Sequence, residues 1–220
     1  MVAFRSLVFA ALVAGIAAGL ATSVVQAARL WPLIDAAEVI EARSHDGHND
    51  APAGWSPQGP SRPVLTVLFN MAAGMGFALM LNAAARLRRL RTEAGLTVRD
   101  GVEWGAAGFV AFALAPALGL PPALPGMAEG ALLARQFWWL ATASCTLGGI
   151  AMLAWAGGAW RWVGVALVAL PHLAGAPVAG HGGAVPGNLA AAFVAGSLAA
   201  SAVFWVVLGG VSGWAQQRWT

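Results

Sequence analysis

Histidines and carboxylates in one polar stretch are the residues of this chain best suited to bind a metal ion. His45 and His48 lie three positions apart in the segment SHDGHND, and Asp46 and Asp50 are interleaved with them. Imidazole nitrogens and carboxylate oxygens are ligands that divalent transition-metal ions accept. The pattern predicts a low-affinity site that collects such ions, and the alternative is a solvated loop whose histidines bind nothing in particular.

Two glutamates precede this segment on a predicted helix. Glu38 and Glu41 are three positions apart and share an arc of that helix with Asp35. The apolar residues of another arc follow the spacing i, i+3, i+4, i+7, at Leu33, Ala36, Ala37 and Ile40. We interpret the segment as an amphipathic helix lying on the membrane, from which Glu38 and Glu41 add carboxylates to the metal site. The alternative is an ordinary solvated face.

His172 stands in a different setting, directly after Pro171 at the end of an apolar segment. An ionisable side chain in the membrane or at its edge is costly and often functional. Proline weakens the helical hydrogen bonding around it, so nearby carbonyls become available as further ligands. The position predicts a metal ligand, with a hydrogen bond to a neighbouring helix as the alternative. His181, in the segment GHGG, joins His172 only if its loop folds back.

Several catalytic signatures are absent from the chain. It contains no GxxxxGK[ST] phosphate loop, so it does not hydrolyse ATP by itself. It also has no HExxH, CxxC or GxSxG motif. The chain is therefore interpreted as a protein that is not an enzyme and that holds no tightly bound cofactor.

The composition indicates an all-α, polytopic transmembrane helix bundle. The 220 residues are 59% hydrophobic and 10% charged, whereas soluble domains carry roughly 25% charged residues. The basic residues are twelve arginines, and five of them lie between Arg86 and Arg99. Beside an apolar span, such a cluster marks a cytoplasmic loop rather than a nucleic-acid site. The lipid bilayer is thus an expected partner, and nucleic acid is not.

Apolar runs predict six spans in a single membrane domain, at residues 6–28, 64–85, 104–118, 136–156, 162–178 and 188–211, with a periplasmic loop at 29–63. The first run is longer than the apolar core of a signal peptide, the rival interpretation of the N-terminus. The third ends near Leu118, because the segment GLPPALPG follows it. Pro171 and Pro177 shorten the fifth, so five spans plus a broken or re-entrant helix is the alternative.

Arginine placement predicts the orientation. With a cytoplasmic N-terminus and six spans, eight arginines lie on the inner side and four on the outer side. Since cytoplasmic loops carry the excess of basic residues, this count favours a multi-pass protein of the bacterial inner membrane with both termini inside.

Six segments carry a resemblance to a known family. They are PLIDAAEVIE (32–41), WSPQGPSR (55–62), EWGAAGFVAFALAPALGLPPALPG (103–126), RQFWW (135–139), LPHLAGAP (170–177) and VPGNLAAAF (185–193). With these segments in this order, the chain resembles the CbtA family, a proposed membrane subunit of a cobalt transporter, nearly from end to end. Ala123 and Asn188 stand where that family often has an acid, so if those acids are ligands in other members, this chain does without them.

The resemblance implies uptake of Co²⁺, the transported divalent ion, across the inner membrane. It also implies about five spans and a small single-span partner, a CbtB-like subunit that carries histidine. Two other functions stay open at this point. One is a non-transporting scaffold that assembles or anchors a metal-handling partner, and the other is a permease for nickel or another divalent metal ion.

The first prediction concerns topology. A reporter fused after Arg91 should be cytoplasmic and a reporter fused after Asp50 should be periplasmic, because the arginine cluster and the acidic first loop lie on either side of the second span. Paired alkaline phosphatase and fluorescent protein fusions measure this. Two reporters in the same compartment would show that the number of spans between them is wrong.

Overall fold

A computed structural model describes residues 2–45, 61–92, 95–127, 130–177 and 185–219. Helices form most of this part of the chain, and it contains no β-strand. In chain order they are α1 (Val2–Arg29), α2 (Trp31–His45), α3 (Ser61–Thr92), α4 (Val98–Phe109), a π-helical turn (Val110–Leu114), α5 (Ala115–Gly119), α6 (Leu132–Trp155), α7 (Trp160–Ala174) and α8 (Gly187–Trp219). The predicted all-α fold is confirmed.

Five stretches of the described residues are long and apolar enough to cross a bilayer. They are Arg5–Arg29, Ser61–Arg89, Val98–Gly119, Leu132–Trp155 and Gly187–Trp219. Helix α7 occupies the predicted fifth span, but its 15 residues fall short of the about 20 that a crossing needs. These lengths agree with the alternative of five spans plus a broken helix, and the number of crossings in a bilayer stays a prediction.

The chain divides into two compact units. The first, unit 1, comprises Met1–Ala28, Asp50–Ala106 and Ala199–Thr220. Its helices approach each other at glycines, where the missing side chain lets two backbones meet. A Cβ on Gly19 of α1 would lie 2.6 Å from the Cα of Met71 on α3, and one on Gly105 of α4 would collide with the carbonyl of Trp205 on α8. Unit 1 is therefore held together by direct backbone packing.

Buried amides add hydrogen bonds to this packing in unit 1. Gln216 Nε2 on α8 donates to Asn82 Oδ1 on α3 at 2.6 Å, and Asn82 is 1% exposed. Asn70 Nδ2 on α3 donates to Ser23 Oγ and Gln26 Oε1 on α1, at 2.9 and 2.7 Å. These buried polar side chains thus have partners within the unit, as stability in a low-dielectric interior requires.

The second unit, unit 2, comprises Arg29–Asn49 and Ala107–Leu198. Helix α6 packs against α7, the π-helical turn and α5 in this unit. Its close approach to α7 centres on Gly149, where a Cβ would lie 2.6 Å from the carbonyl oxygen of Gly164 and 2.6 Å from Val168 Cγ2. This crossing positions the end of α7 that carries His172.

A proline explains the π-helical turn. Pro116 has no N–H to donate, and the N–H of Ala115 donates to Val110, five residues back. The carbonyl of Ala111 therefore has a backbone donor at neither the α-helical nor the π-helical position. Such turns are rare and occur frequently at functional sites. Helix α5 then ends at Gly119, close to the predicted end at Leu118.

The second prediction tests the backbone packing in unit 1 with two adjacent glycines of α8. A Cβ on Gly209 would collide with the carbonyl of Gly101, whereas one on Gly210 would lie 3.5 Å from Val102 Cγ2, an ordinary contact. Gly209→Ala should therefore cost about 1–3 kcal/mol of stability. Gly210→Ala should stabilise α8 by up to about 1 kcal/mol, the helix propensity gain. Thermal unfolding of the purified protein in detergent measures both. Equal shifts in the two variants would contradict the close approach.

Candidate metal centre

His172 lies in the last turn of α7, after a proline inside the helix. Pro171 is buried and has no N–H, so the carbonyl of Leu167, four residues earlier, loses its α-helical donor. The helix ends at Ala174, and Gly175 follows with φ +85°, a backbone conformation that favours glycine. His172 therefore stands at an irregular helix end, within unit 2.

The carbonyls next to His172 are already hydrogen-bonded. The carbonyl of Pro171 accepts the indole N–H of Trp138 at 3.1 Å. The carbonyl of His172 accepts the N–H of Gly175 at 3.2 Å. Each of these two carbonyls therefore already accepts one hydrogen bond, and their role as ligands stays a prediction. Leu167 is the residue whose carbonyl the proline deprives of its helical donor.

The imidazole of His172 is the unusual group of this helix end. Its Nε2 is buried and has no hydrogen-bond partner among the described residues. A hydrogen bond from this nitrogen to a neighbouring helix, the alternative to a metal ligand, is therefore not seen. Leaving a buried polar atom unpaired costs about 1–3 kcal/mol. When Nδ1 carries the proton, Nε2 presents its lone pair to the interior, as a metal ligand must.

Two tryptophans of α6 contact different neighbours. The ring of Trp138 meets the ring of His172 nearly edge-on, with centroids 5.8 Å apart and an interplanar angle of 69°. The ring of Trp139 instead packs on Phe112 of the π-helical turn, with centroids 5.9 Å apart. The consecutive tryptophans thus connect α6 to α7 and to the π-helical turn.

Two threonines of α6 were missed by the sequence reasoning. Thr142 and Thr146 are both 0% exposed. Thr142 Oγ1 donates to the carbonyl of Trp138 at 2.8 Å, the usual bond of a threonine to its own helix. Thr146 Oγ1 is buried without a partner among the described residues. Threonine in an apolar helix gives no sequence signal, because only the packing decides whether its hydroxyl finds an acceptor.

The predicted carboxylates lie on α2, also in unit 2. The predicted helix is present, and Glu38 and Glu41 are half-buried rather than fully solvated. A Cβ on Gly126 would lie 3.3 Å from the Cβ of Glu41, so α2 packs near the proline-rich turn after α5. Within the described residues, no group of three or more His, Cys, Asp or Glu side chains is arranged to hold a metal ion. Glu38 and Glu41 thus form no such group with His172 in this structure.

The side chains of the remaining predicted ligands are not among those that the structure describes. His45 ends α2, but its side chain is not described, and His48 and His181 lie outside the described residues. Their proximity to His172 stays a prediction. Asn188 lies in the first turn of α8 and is exposed.

Comparison with known proteins identifies one family. The sequence model of the family described as "Probable cobalt transporter subunit (CbtA)" matches residues 4–217, nearly the whole chain. No curated protein and no solved structure matches the chain. The family match therefore supplies the comparative evidence about function.

The third prediction compares the two buried threonines. Thr146→Val should raise the free energy of unfolding by about 1–2 kcal/mol, because it removes an unpaired buried hydroxyl and keeps the shape. Thr142→Val should lower it by about 0.6 kcal/mol, because it removes a hydrogen bond. Thermal unfolding in detergent measures both. Destabilisation by Thr146→Val would show that its hydroxyl has a partner.

Proposed function

Since this chain belongs to the CbtA family of probable cobalt transporter subunits, we propose that it carries Co²⁺ into the cell across the bacterial inner membrane. The five long apolar helices found among the described residues suit a multi-pass membrane protein. The single observation that supports an ion pathway through this chain is the imidazole of His172, whose Nε2 is buried without a partner.

His172 contributes one ligand to the ion during transit in this proposal. Imidazole nitrogen suits ions of this group, and the ligand must be neutral because protonation removes its lone pair. One nitrogen does not complete a coordination shell. The carbonyl of Leu167 is a further candidate from α7, since Pro171 removes its helical donor. Other ligands come from His181, from another helix or from a CbtB-like partner.

In this proposal, the predicted periplasmic loop at 29–63 gathers the ion before transit. His45 and His48, with Glu38 and Glu41, form a weak collecting site that raises the local ion concentration. Such a site affects the concentration needed for uptake more than the maximal rate. It requires no tightly bound metal, so the ion is cargo rather than a cofactor.

The fourth prediction tests His172 by uptake of radioactive cobalt into cells. His172→Ala should reduce uptake by more than about tenfold, the scale of effect that even an outer-shell partner of a metal site reaches. His172→Gln should behave similarly, because an amide hydrogen-bonds well but is a poorer ligand for such an ion. Uptake is measured at equal protein abundance in the membrane, with nickel as competitor.

Leu173→Ala is the matched control, since Leu173 is the next residue of α7 and is 83% exposed. It should leave cobalt uptake unchanged. Wild-type uptake by the His172→Gln variant would show that His172 either forms only a hydrogen bond or has no role in uptake. Uptake by proteoliposomes that contain this chain alone would separate a permease from a non-transporting scaffold.

A further inference from the structure

Trp138 lies where three elements of unit 2 meet: the end of α5, the first turns of α6 and the end of α7. Its indole N–H donates to the carbonyl of Pro171 at 3.1 Å. Its six-membered ring lies over Gly119, where a Cβ would be 2.7 Å from Trp138 Cζ2 and 2.9 Å from the Cβ of Ala176. The ring therefore occupies a space that only glycine at position 119 leaves open.

The indole replaces a helical hydrogen bond that the chain does not make. In a regular helix the carbonyl of Pro171 would accept the N–H of Gly175, four residues later. Gly175 has φ +85°, and its N–H donates to the carbonyl of His172 instead. Without Trp138, the carbonyl of Pro171 would lose the hydrogen bond that it accepts from the indole N–H. The indole thus stabilises the conformation in which α7 ends.

The same side chain orients the imidazole. The rings of Trp138 and His172 meet at 69°, with centroids 5.8 Å apart, and Nε2 of His172 is buried without a partner. Neither the face nor the C–H edge of an aromatic ring offers a strong hydrogen bond to this nitrogen, so the contact restrains the imidazole without occupying its lone pair. Precise orientation of a ligand side chain depends on neighbours of this kind.

From these contacts we infer that Trp138 is a positioning residue for the metal ligand His172. It anchors the backbone at Pro171 and restrains the imidazole, so that Nε2 is preorganised to receive the ion. This inference rests on the proposed function, in which His172 binds Co²⁺. Trp138 itself does not contact the ion.

Two variants disturb this arrangement by different routes. Trp138→Phe keeps an aromatic ring and removes the N–H that reaches Pro171. Gly119→Ala keeps the indole but displaces its ring. Each should raise the cobalt concentration needed for half-maximal uptake by about tenfold, the effect expected when an orienting partner of a ligand is lost. Maximal uptake at saturating cobalt should change much less.

Matched controls come from the same chain. Trp139→Phe alters the adjacent tryptophan, which contacts Phe112 rather than His172. Gly157→Ala adds a methyl group where nothing lies within 4 Å. Both should keep the half-saturating concentration of the wild type. Each variant is compared at equal abundance in the membrane, and size-exclusion chromatography in detergent verifies that it is folded.

Binding of Co²⁺ to the purified protein, measured by calorimetry, then tests whether Trp138 acts through His172. Trp138→Phe should weaken binding in the wild type and add nothing in the His172→Ala background. An equal effect in both backgrounds would overturn the inference, as would unchanged half-saturation in both Trp138→Phe and Gly119→Ala. If His172→Ala itself binds and takes up cobalt like the wild type, the proposed function of His172 is wrong, and that result is independent of Trp138.

Discussion

Hydrogen bonding of the backbone is the constraint on which this structure depends. A bilayer offers no water to an N–H or C=O group, so each must be satisfied within the protein or in a polar cavity. Two prolines inside apolar helices each remove one helical N–H donor. Pro116 imposes the π-helical turn. Pro171 lies in the last turn of α7, which ends at Ala174. Both leave a carbonyl without its helical donor, and both lie in unit 2.

The two units differ in how they treat buried polar groups. In unit 1 the amides of Asn70 and Asn82 have hydrogen-bond partners on neighbouring helices, and glycines allow direct backbone contact. In unit 2 the hydroxyl of Thr146 and Nε2 of His172 are buried without partners in the described residues. Satisfied groups stabilise one arrangement, whereas unsatisfied ones favour whatever ligand pairs with them. The buried side-chain atoms without partners among the described residues thus lie in unit 2, the unit that carries the proposed ligand His172.

The helical architecture could be predicted from the sequence because the length of an apolar run is a local property. The predicted third span at 104–118 lies within the helical stretch Val98–Gly119, and the proline-rich turn follows it. The environment of His172 depends on Trp138. The indole of Trp138 reaches Pro171, 33 positions away in the sequence, only after α6 and α7 have packed. No local pattern encodes that contact. The unpaired hydroxyl of Thr146 and the π-helical turn likewise result from packing and from one missing N–H, not from periodicity.

Charge decides what a site at His172 requires. From 132 to 174 the formally charged side chains are Arg135 and Arg161, and no acid is present. A divalent ion bound to a neutral imidazole there carries its charge into a low-dielectric region, which is costly unless it is compensated. Such a site therefore binds the ion weakly by itself. Conduction needs binding that is favourable enough for the ion to enter the site and weak enough for the ion to leave it. The compensating charge has to come from outside residues 132–174. A neutral, incomplete site whose counter-charge lies on another part of the assembly is suited to passage of an ion rather than to its storage.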